Sequence, residues 1–461
     1  MSLIDRILNR LNLSDTKKKV VRNLAWAVTG KVITLLGSLL VGIFVARYLG
    51  PEQYGLMSYV TSFVALFQVF ASFGLDNIEI REEAKCEGQG YEKRIPSPEC
   101  NTILGTAFTL KLIFAAITMV LVIATAWIFE ADTFTKWMIT LYSFSMIMQT
   151  FGVIRNYFTS IVWNEYIVKT EISRTIIGAA IKVVLLLLHA PLVWFIAATL
   201  FDTVLIASGY LISYNKKIAS IRLWNFDRQT AKYLIKEAFP LLLSGAAVII
   251  YQRIDQVMIG NLIDKQAVGY FSVATSFVSV LMFVPITICQ TYMPIISNLW
   301  HTDKEAYQRQ NQQFMNITVW STILCSVIVS ILSWPLVRYT FGEQYLPTVP
   351  ILQVLSFKAA STALSSVAGQ MIVAEGLQKW TIIRDTTGCI TCVLLNYLLL
   401  PRFGVIAAAW IAIISNLVAG YFSSLFIPPY RHTFTAQTQC ILFGWKDMAQ
   451  ITTLIKKNNQ Q

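Results

Sequence analysis

Charge is what this sequence has least of. Only 13% of its 461 residues are Asp, Glu, Lys or Arg, about half the share found in an ordinary soluble domain. Long polar linkers are missing too. Apolar runs recur almost from end to end, and mean hydropathy is +0.58. A soluble chain of this length would divide into two or three cores joined by polar segments, so a soluble enzyme is excluded. The short alternating segments of a β-barrel are also absent. No G-x-x-x-x-G-K loop occurs, because Thr29-Gly30-Lys31 lacks the upstream glycine. That argues against ATP-driven transport by this chain alone. Histidine appears only as His189, His301 and His432, too dispersed for a metal site. The seven cysteines form no framework. Cys389 and Cys392 make a C-x-x-C inside an apolar run, where packing outweighs redox or zinc chemistry. No catalytic residue, metal or cofactor is therefore expected. The start has no short apolar region ending in A-x-A, so a cleavable signal peptide is not expected.

What is present is a series of runs long enough to cross a bilayer, each needing about 20 apolar residues. Twelve spans are read at about 22–47, 55–75, 102–128, 137–159, 172–189, 192–213, 238–262, 268–295, 315–338, 350–373, 381–400 and 404–427. The fold class is an all-α polytopic membrane protein, with about twelve transmembrane helices in two six-helix bundles around a central cavity. The expected organisation is an interfacial and basic segment at 1–21, a first bundle at 22–213, a linker at 214–237, a second bundle at 238–427 and a tail at 428–461. Within 3–13, Ile4, Ile7, Leu8 and Leu11 share one helical face, which reads as a short helix lying in the interface. The stretch after 430 is too short to span.

Lysine and arginine set the orientation. With the N-terminus inside, the inner segments hold 26 of the 37 basic residues and the outer loops only five: Arg47, Lys136, Lys265, Arg338 and Arg402. This is a positive-inside pattern with both termini cytoplasmic. The net charge of +12 then faces anionic lipid rather than nucleic acid. The outer loops are short and leave no external catalytic domain.

The two halves echo each other at an offset of 214. Gly55-Leu-Met-Ser-Tyr-Val-Thr-Ser-Phe-Val64 matches Gly269-Tyr-Phe-Ser-Val-Ala-Thr-Ser-Phe-Val278 at six of ten positions. An even offset in span number gives both halves the same orientation, an arrangement found in transporters.

Ionisable residues inside a bilayer face a cavity, pair, or snorkel, because an isolated charge there is costly. The in-span cations are Lys31, Lys111, Arg155, Lys182, Arg253 and Lys358, and the clear in-span acids are Asp202 and Asp255. The excess of cations suggests a hydrated cavity that attracts an anionic group such as a pyrophosphate. Internal ion pairs are the alternative, and Lys182 and Asp202 lie at matching depth on consecutive helices. Arg155 is close enough to the inner surface to snorkel. Arg253 and Asp255 are two residues apart and point to different helix sides. Asp255, like Asp202, is a candidate for a coupling proton or sodium ion as well as for structural pairing. Gln149, Asn156, Gln290 and Asn396 are candidate sugar-contacting groups. Gly30, Gly37, Ser38 and Gly42 mark span one as a packing helix, with a small-x-x-x-small step at Ser38 and Gly42. Pro285, inside span eight, is a candidate hinge.

Several of these segments carry a family resemblance. Asn23-Leu-Ala-Trp, Gly37 and Ala46-Arg-Tyr-Leu-Gly-Pro-Glu-Gln-Tyr-Gly55 resemble the opening of polysaccharide-biosynthesis flippases of the Wzx type. These belong to the multidrug/oligosaccharidyl-lipid/polysaccharide exporter superfamily. Phe73-Gly-Leu, Arg81-Glu82, Asp255-Gln-Val-Met-Ile-Gly260 and Val268-Gly-Tyr-Phe-Ser-Val-Ala274 extend the match. The resemblance implies a transporter, not an enzyme. It would turn an undecaprenyl-diphosphate-linked oligosaccharide across a bacterial inner membrane for O-antigen, capsule or a related glycan. Its partners would be the lipid-linked glycan and the bilayer, with other polysaccharide-assembly membrane proteins as candidates and no nucleic acid. Coupling to a proton or sodium gradient is implied as well. The loop at 85–101 is longer than that pattern usually has. A cation-coupled drug antiporter of the same superfamily would want acids in the first-half cavity. A membrane glycan polymerase or ligase would want a carboxylate-bearing outer loop.

Overall fold

The computed structural model describes residues 15–87 and 96–447, with the side chains of 15–29, 291, 294 and 295 outside the description. The expected interfacial helix at 3–13 and the middle of the long loop, 88–95, lie outside the described residues. All regular structure among the described residues is helical. Among the described residues, ten stretches are long and apolar enough to cross a membrane. The first, Gly30–Cys86, contains two passes, because Gly50 at φ 74° breaks the run Asp15–Ser72. Asn164–Leu187 is also long enough but carries Glu165, Lys169, Glu171, Arg174 and Lys182. Twelve passes result, as the apolar runs indicate.

Local chemistry fixes many helix starts. Asp132 accepts from the backbone N–H groups of Phe134 and Thr135, Asp264 from Ala267, and Asp303 from Glu305 and Ala306. Each supplies an acceptor to an N–H that the helix itself leaves unpaired. Asp227 does the same for Thr230, and the backbone N–H of Thr230 is the main reason its carboxyl sits below the ordinary value. Large apolar side chains such as Ile117, Val120, Ile128, Phe129, Leu187 and Ile331 are exposed. Apolar surface on this scale requires lipid around it.

The chain forms two compact units. One comprises Met1–Tyr48 and Phe63–Ala246, the other Leu49–Ser62 and Ala247–Gln461. In the first, glycines on span one admit the helix Asn164–Leu187. A Cβ on Gly30 would sit 2.4 Å from Val168, and one on Gly37 would sit 2.9 Å from Thr175. Gly42 has nothing within 4 Å and Ser38 is exposed, so the contact uses the seven-residue step rather than Ser38 and Gly42. The core at one end of this unit gathers Leu75, Leu104, Tyr157, Phe158, Tyr214 and Leu234. The segment after Lys217 is pinned onto it: Trp224 donates to Tyr214 OH at 3.0 Å, and the Asp227 N–H donates to Thr106 Oγ1 at 3.0 Å. The Arg81-Glu82 pair is a strap, with Arg81 donating to Glu237 at 2.9 Å and Tyr233 donating to Glu82 at 3.1 Å.

In the second unit the segment after 427 is more than a tail. The helix Arg431–Phe443 is docked on Lys304–Ile331 and Lys358–Ala374. Trp320 Nε1 donates to the Cys440 carbonyl at 2.9 Å. The fully buried Gln437 amide donates to the Gly420 carbonyl at 2.8 Å. Gly420 lies in a π-helical turn, Val418–Phe422, which frees carbonyls from the regular ladder, and Gln437 satisfies one of them. At the start of the docked helix, His432 Nε2 lies 2.7 Å from Glu375, whose other oxygen accepts from Tyr307 OH at 2.7 Å. Glu375 draws a proton onto His432 and raises its pKa above the ordinary 6.5.

Candidate functional site

The second unit holds a partly open cavity of about 640 Å³. One face of Lys358–Ala374 lines it through Lys358, Thr362, Ser366, Gly369, Gln370 and Val373, a spacing of three and four residues that keeps one stripe inward. Helix Arg228–Leu262 supplies Tyr251, Gln252 and Arg253; helix Lys265–Thr302 supplies Thr275, Ser279, Met282, Ile286 and Gln290. Thr381, Arg384 and Asp385 come from the start of Thr381–Phe403, and Ala419 and Gly420 from the π-helical turn.

Three cations therefore line this space against one acid. Arg384 Nε lies 3.1 Å from Asp385 Oδ1, whereas Arg253 and Lys358 have no ion pair among the described residues. The remaining polar lining is uncharged hydroxyl and amide. Asn416 accepts from Ser365 at 2.9 Å and donates to Thr362 at 3.2 Å. Such a wall offers exchangeable donors and acceptors to a polyhydroxylated ligand and positive charge to an anion.

Asp255 lies behind that wall. It is 1% exposed, accepts from Asn396 Nδ2 at 2.7 Å, and stands 3.3 Å from the Cys392 thiol. Lys358 acts on it electrostatically. Arg253 is exposed toward the cavity while Asp255 is buried, the opposite-sided placement that two-residue spacing dictates. Cys392 is a buried free thiol and Cys389 is half-buried and free.

The other ionisable candidates fall elsewhere. Lys111 is 3% exposed and held by two carboxylates, Asp76 at 2.7 Å and Glu79 at 2.8 Å; Asn156 Nδ2 donates to the same two at 2.9 and 2.6 Å. The structure thus places Lys111 and Asn156 in an ion cluster of the first unit, in which Lys111, Glu79 and Asn156 are buried and Asp76 is exposed, not on the cavity. Lys182 Nζ stands 2.6 Å from Asp202 Oδ2, and Asp202 packs against Gly178, where a Cβ would collide with Oδ1 at 2.1 Å. Arg155 is exposed, 3.6 Å from Glu171. Lys31 and Gln149 are exposed. Pro285 lies inside Lys265–Thr302, adjacent to the cavity residues Met282 and Ile286. Of the cations named from the sequence, Arg253 and Lys358 share the cavity. Arg384 and Asp385 are the additions. They fall at a span start and read as an ordinary inner-loop charge; the only signal was that a doublet of opposite charge begins an apolar run.

The fold is that of a multi-pass membrane protein, and the family matches make it a transporter of the multidrug/oligosaccharidyl-lipid/polysaccharide exporter superfamily. Residues 20–300 match the family model described as polysaccharide biosynthesis protein, and residues 240–398 match the MatE model. The chain belongs to the polysaccharide biosynthesis protein family. It is 22% identical over 409 residues to the capsular polysaccharide biosynthesis protein CapF of Staphylococcus aureus, covering 87% of this chain and 97% of that one. An uncharacterized membrane protein of Methanocaldococcus jannaschii is 22% identical over 425 residues, 88% of this chain and 82% of the relative. Among solved structures, the lipid II flippase MurJ in an inward closed conformation superposes with TM-score 0.70 at 15% identity, covering 91% of each chain. An inward-facing MATE-family multidrug transporter gives TM-score 0.67 at 16% identity, covering 88% of this chain and 96% of the other.

Proposed function

We propose that this protein turns an undecaprenyl-diphosphate-linked oligosaccharide from the inner to the outer leaflet of a bacterial plasma membrane, supplying O-antigen, capsule or a related surface glycan. The observation that carries the reading is a cavity combining unpaired cations with an uncharged hydroxyl and amide wall, in a chain of the polysaccharide biosynthesis family. Arg253 and Lys358 hold the diphosphate, because phosphate oxygens gain most from cations that lack a protein partner. The sugars lie against the amides and hydroxyls, and the lipid tail stays in the bilayer. Both termini face the cytoplasm, following the excess of basic residues there. Pro285 acts as the hinge of a helix that lines the cavity.

Asp255 is the coupling candidate, since Asp202 is already engaged by Lys182. A proton or sodium ion on Asp255 removes the negative charge that offsets Lys358. Cation and anion binding are then thermodynamically linked. A drug antiporter fits less well, because the three cavity cations outnumber Asp255 and Asp385 beside them.

The test is leaflet accounting of the lipid-linked repeat unit in cells lacking this protein. Accumulation on the cytoplasmic leaflet, cleared by re-expression, is the expected result. Normal arrival at the outer leaflet, followed by failed polymerisation or ligation, would reject translocation.

A further inference from the structure

The cavity has two cationic poles rather than one. Lys358 marks the first, beside Asp255, in a cavity that Arg253 also lines from a neighbouring helix. Arg384 forms the second. A Cβ placed on Gly369 would lie 3.9 Å from Arg384 Nη1, so the guanidinium tip sits level with Gly369. Gly369 is eleven residues along the helix from Lys358, about 16 Å of rise. The neighbouring helix agrees. Asn396, which holds Asp255 at 2.7 Å, is twelve residues from Arg384, about 18 Å. Between the poles the stripe is uncharged: Thr362, Ser365 and Ser366.

The poles also differ in chemistry. The first has two cations without a carboxylate in contact, which suits a group of two or more negative charges. At the second, Asp385 is 4% exposed and takes Arg384 Nε at 3.1 Å. Arg384 Nη1 is buried with no hydrogen-bond partner. Asp385 thereby fixes the plane of the guanidinium, and Arg384 lines the cavity, where a guanidinium is the group suited to a planar carboxylate. The local charge is already balanced, so one further negative charge is accommodated there by geometry as much as by net potential.

We infer that the transported glycan is acidic: it carries a carboxylate sugar of the uronic acid class, seated on Arg384 while its diphosphate sits at Lys358 and Arg253. This rests on the flippase reading above and narrows its substrate. Asp385 is a positioning residue for the guanidinium.

The experiment titrates the full-length purified protein with two synthetic probes, farnesyl-diphosphate-linked N-acetylglucosamine extended by glucuronic acid or by glucose. The wild type should bind the glucuronic acid probe about tenfold more tightly, a difference equal to about 1.4 kcal/mol. R384Q should bind both probes alike, at the wild-type affinity for the glucose probe, which also shows that the variant is folded. K358Q should weaken both probes equally. If R384Q cannot be purified folded, R384K decides, because an ammonium keeps the charge and loses the fork; its preference should fall at least threefold. Equal affinity of the wild type for the two probes, or an undiminished preference in R384Q or R384K, overturns the acidic-glycan assignment and leaves the flippase reading standing. Binding of neither probe rejects both.

Discussion

Gly55 and Gly269 pack against each other's helix starts in reciprocal fashion. A Cβ on Gly55 would lie 1.8 Å from the Lys265 carbonyl oxygen, and one on Gly269 would lie 2.0 Å from the Pro51 carbonyl oxygen. The two glycines are 214 residues apart, and so are Pro51 and Lys265. Each glycine therefore meets the carbonyl four residues before its own counterpart, a local two-fold relation built from duplicated sequence. All four residues lie in the second unit, which takes in Leu49–Ser62. Tyr59 secures the same crossing by donating to Asn261 at 2.7 Å, and Ser62 bonds to Gln256.

Because the obstructing atoms are backbone, no rotamer change can relieve a side chain at either glycine. Gly55→Ala and Gly269→Ala should each destabilise the protein by about 1–3 kcal/mol, the usual range for overpacking. Gly42→Ala, facing open space, should not. Thermal unfolding midpoints of the three purified variants check this, and a Gly55→Ala midpoint equal to wild type would remove the close crossing.

The Lys182 and Asp202 pair predicts a compensating double variant. Removing one partner of a buried pair strands the other, at a cost of roughly 3–5 kcal/mol. Lys182→Met and Asp202→Asn should each lower folded yield and stability, and the combination should recover most of the loss. A double variant no better than the worse single one would show that the two act separately.

Lys111 and Lys358 should fail in different ways. Lys111→Met leaves Asp76 and Glu79 without their shared ammonium and should act on folding, with lower yield and unfolding temperature. Lys358→Gln removes a cavity cation and should cut glycan export severalfold, while stability stays within about 1 kcal/mol of wild type. Matched measurements of unfolding temperature and export decide. Normal stability in Lys111→Met would detach that residue from the buried cluster.

Docking of the Arg431–Phe443 helix should depend on pH through His432. Its folded pKa lies above the ordinary 6.5 because Glu375 bonds to the charged ring. The contribution is complete below pH 6.5 and is lost as pH rises through the raised folded value. The stability gap between wild type and His432→Gln should therefore be widest near pH 6 and narrow toward pH 8.5. Unfolding midpoints across that range test it, and a constant gap would mean that His432 holds the helix without its charge.

The sequence alone determined the membrane class, the span count and the repeat, because each rests on composition and spacing along a single chain. Span one ends near residue 47, and Gly55 and Gly269 align, whatever surrounds them. Even the opposite-sided placement of Arg253 and Asp255 followed from helical geometry. The partners of the in-span cations were a different matter. Lys111 and Lys358 look alike in sequence, each a lysine within an apolar helix. One is enclosed by Asp76 and Glu79 from a helix that packs beside it, and the other opens into the cavity of the second unit. Only the packing of several helices decides which carboxylates come within 3 Å of an ammonium. The same holds for Arg384, which the packing of its helix brings to the cavity wall, and for Gln437, which reaches the Gly420 carbonyl only because the chain after 427 turns back onto the bundle. Depth and periodicity are written locally. Charge compensation is a property of neighbours far apart in the chain.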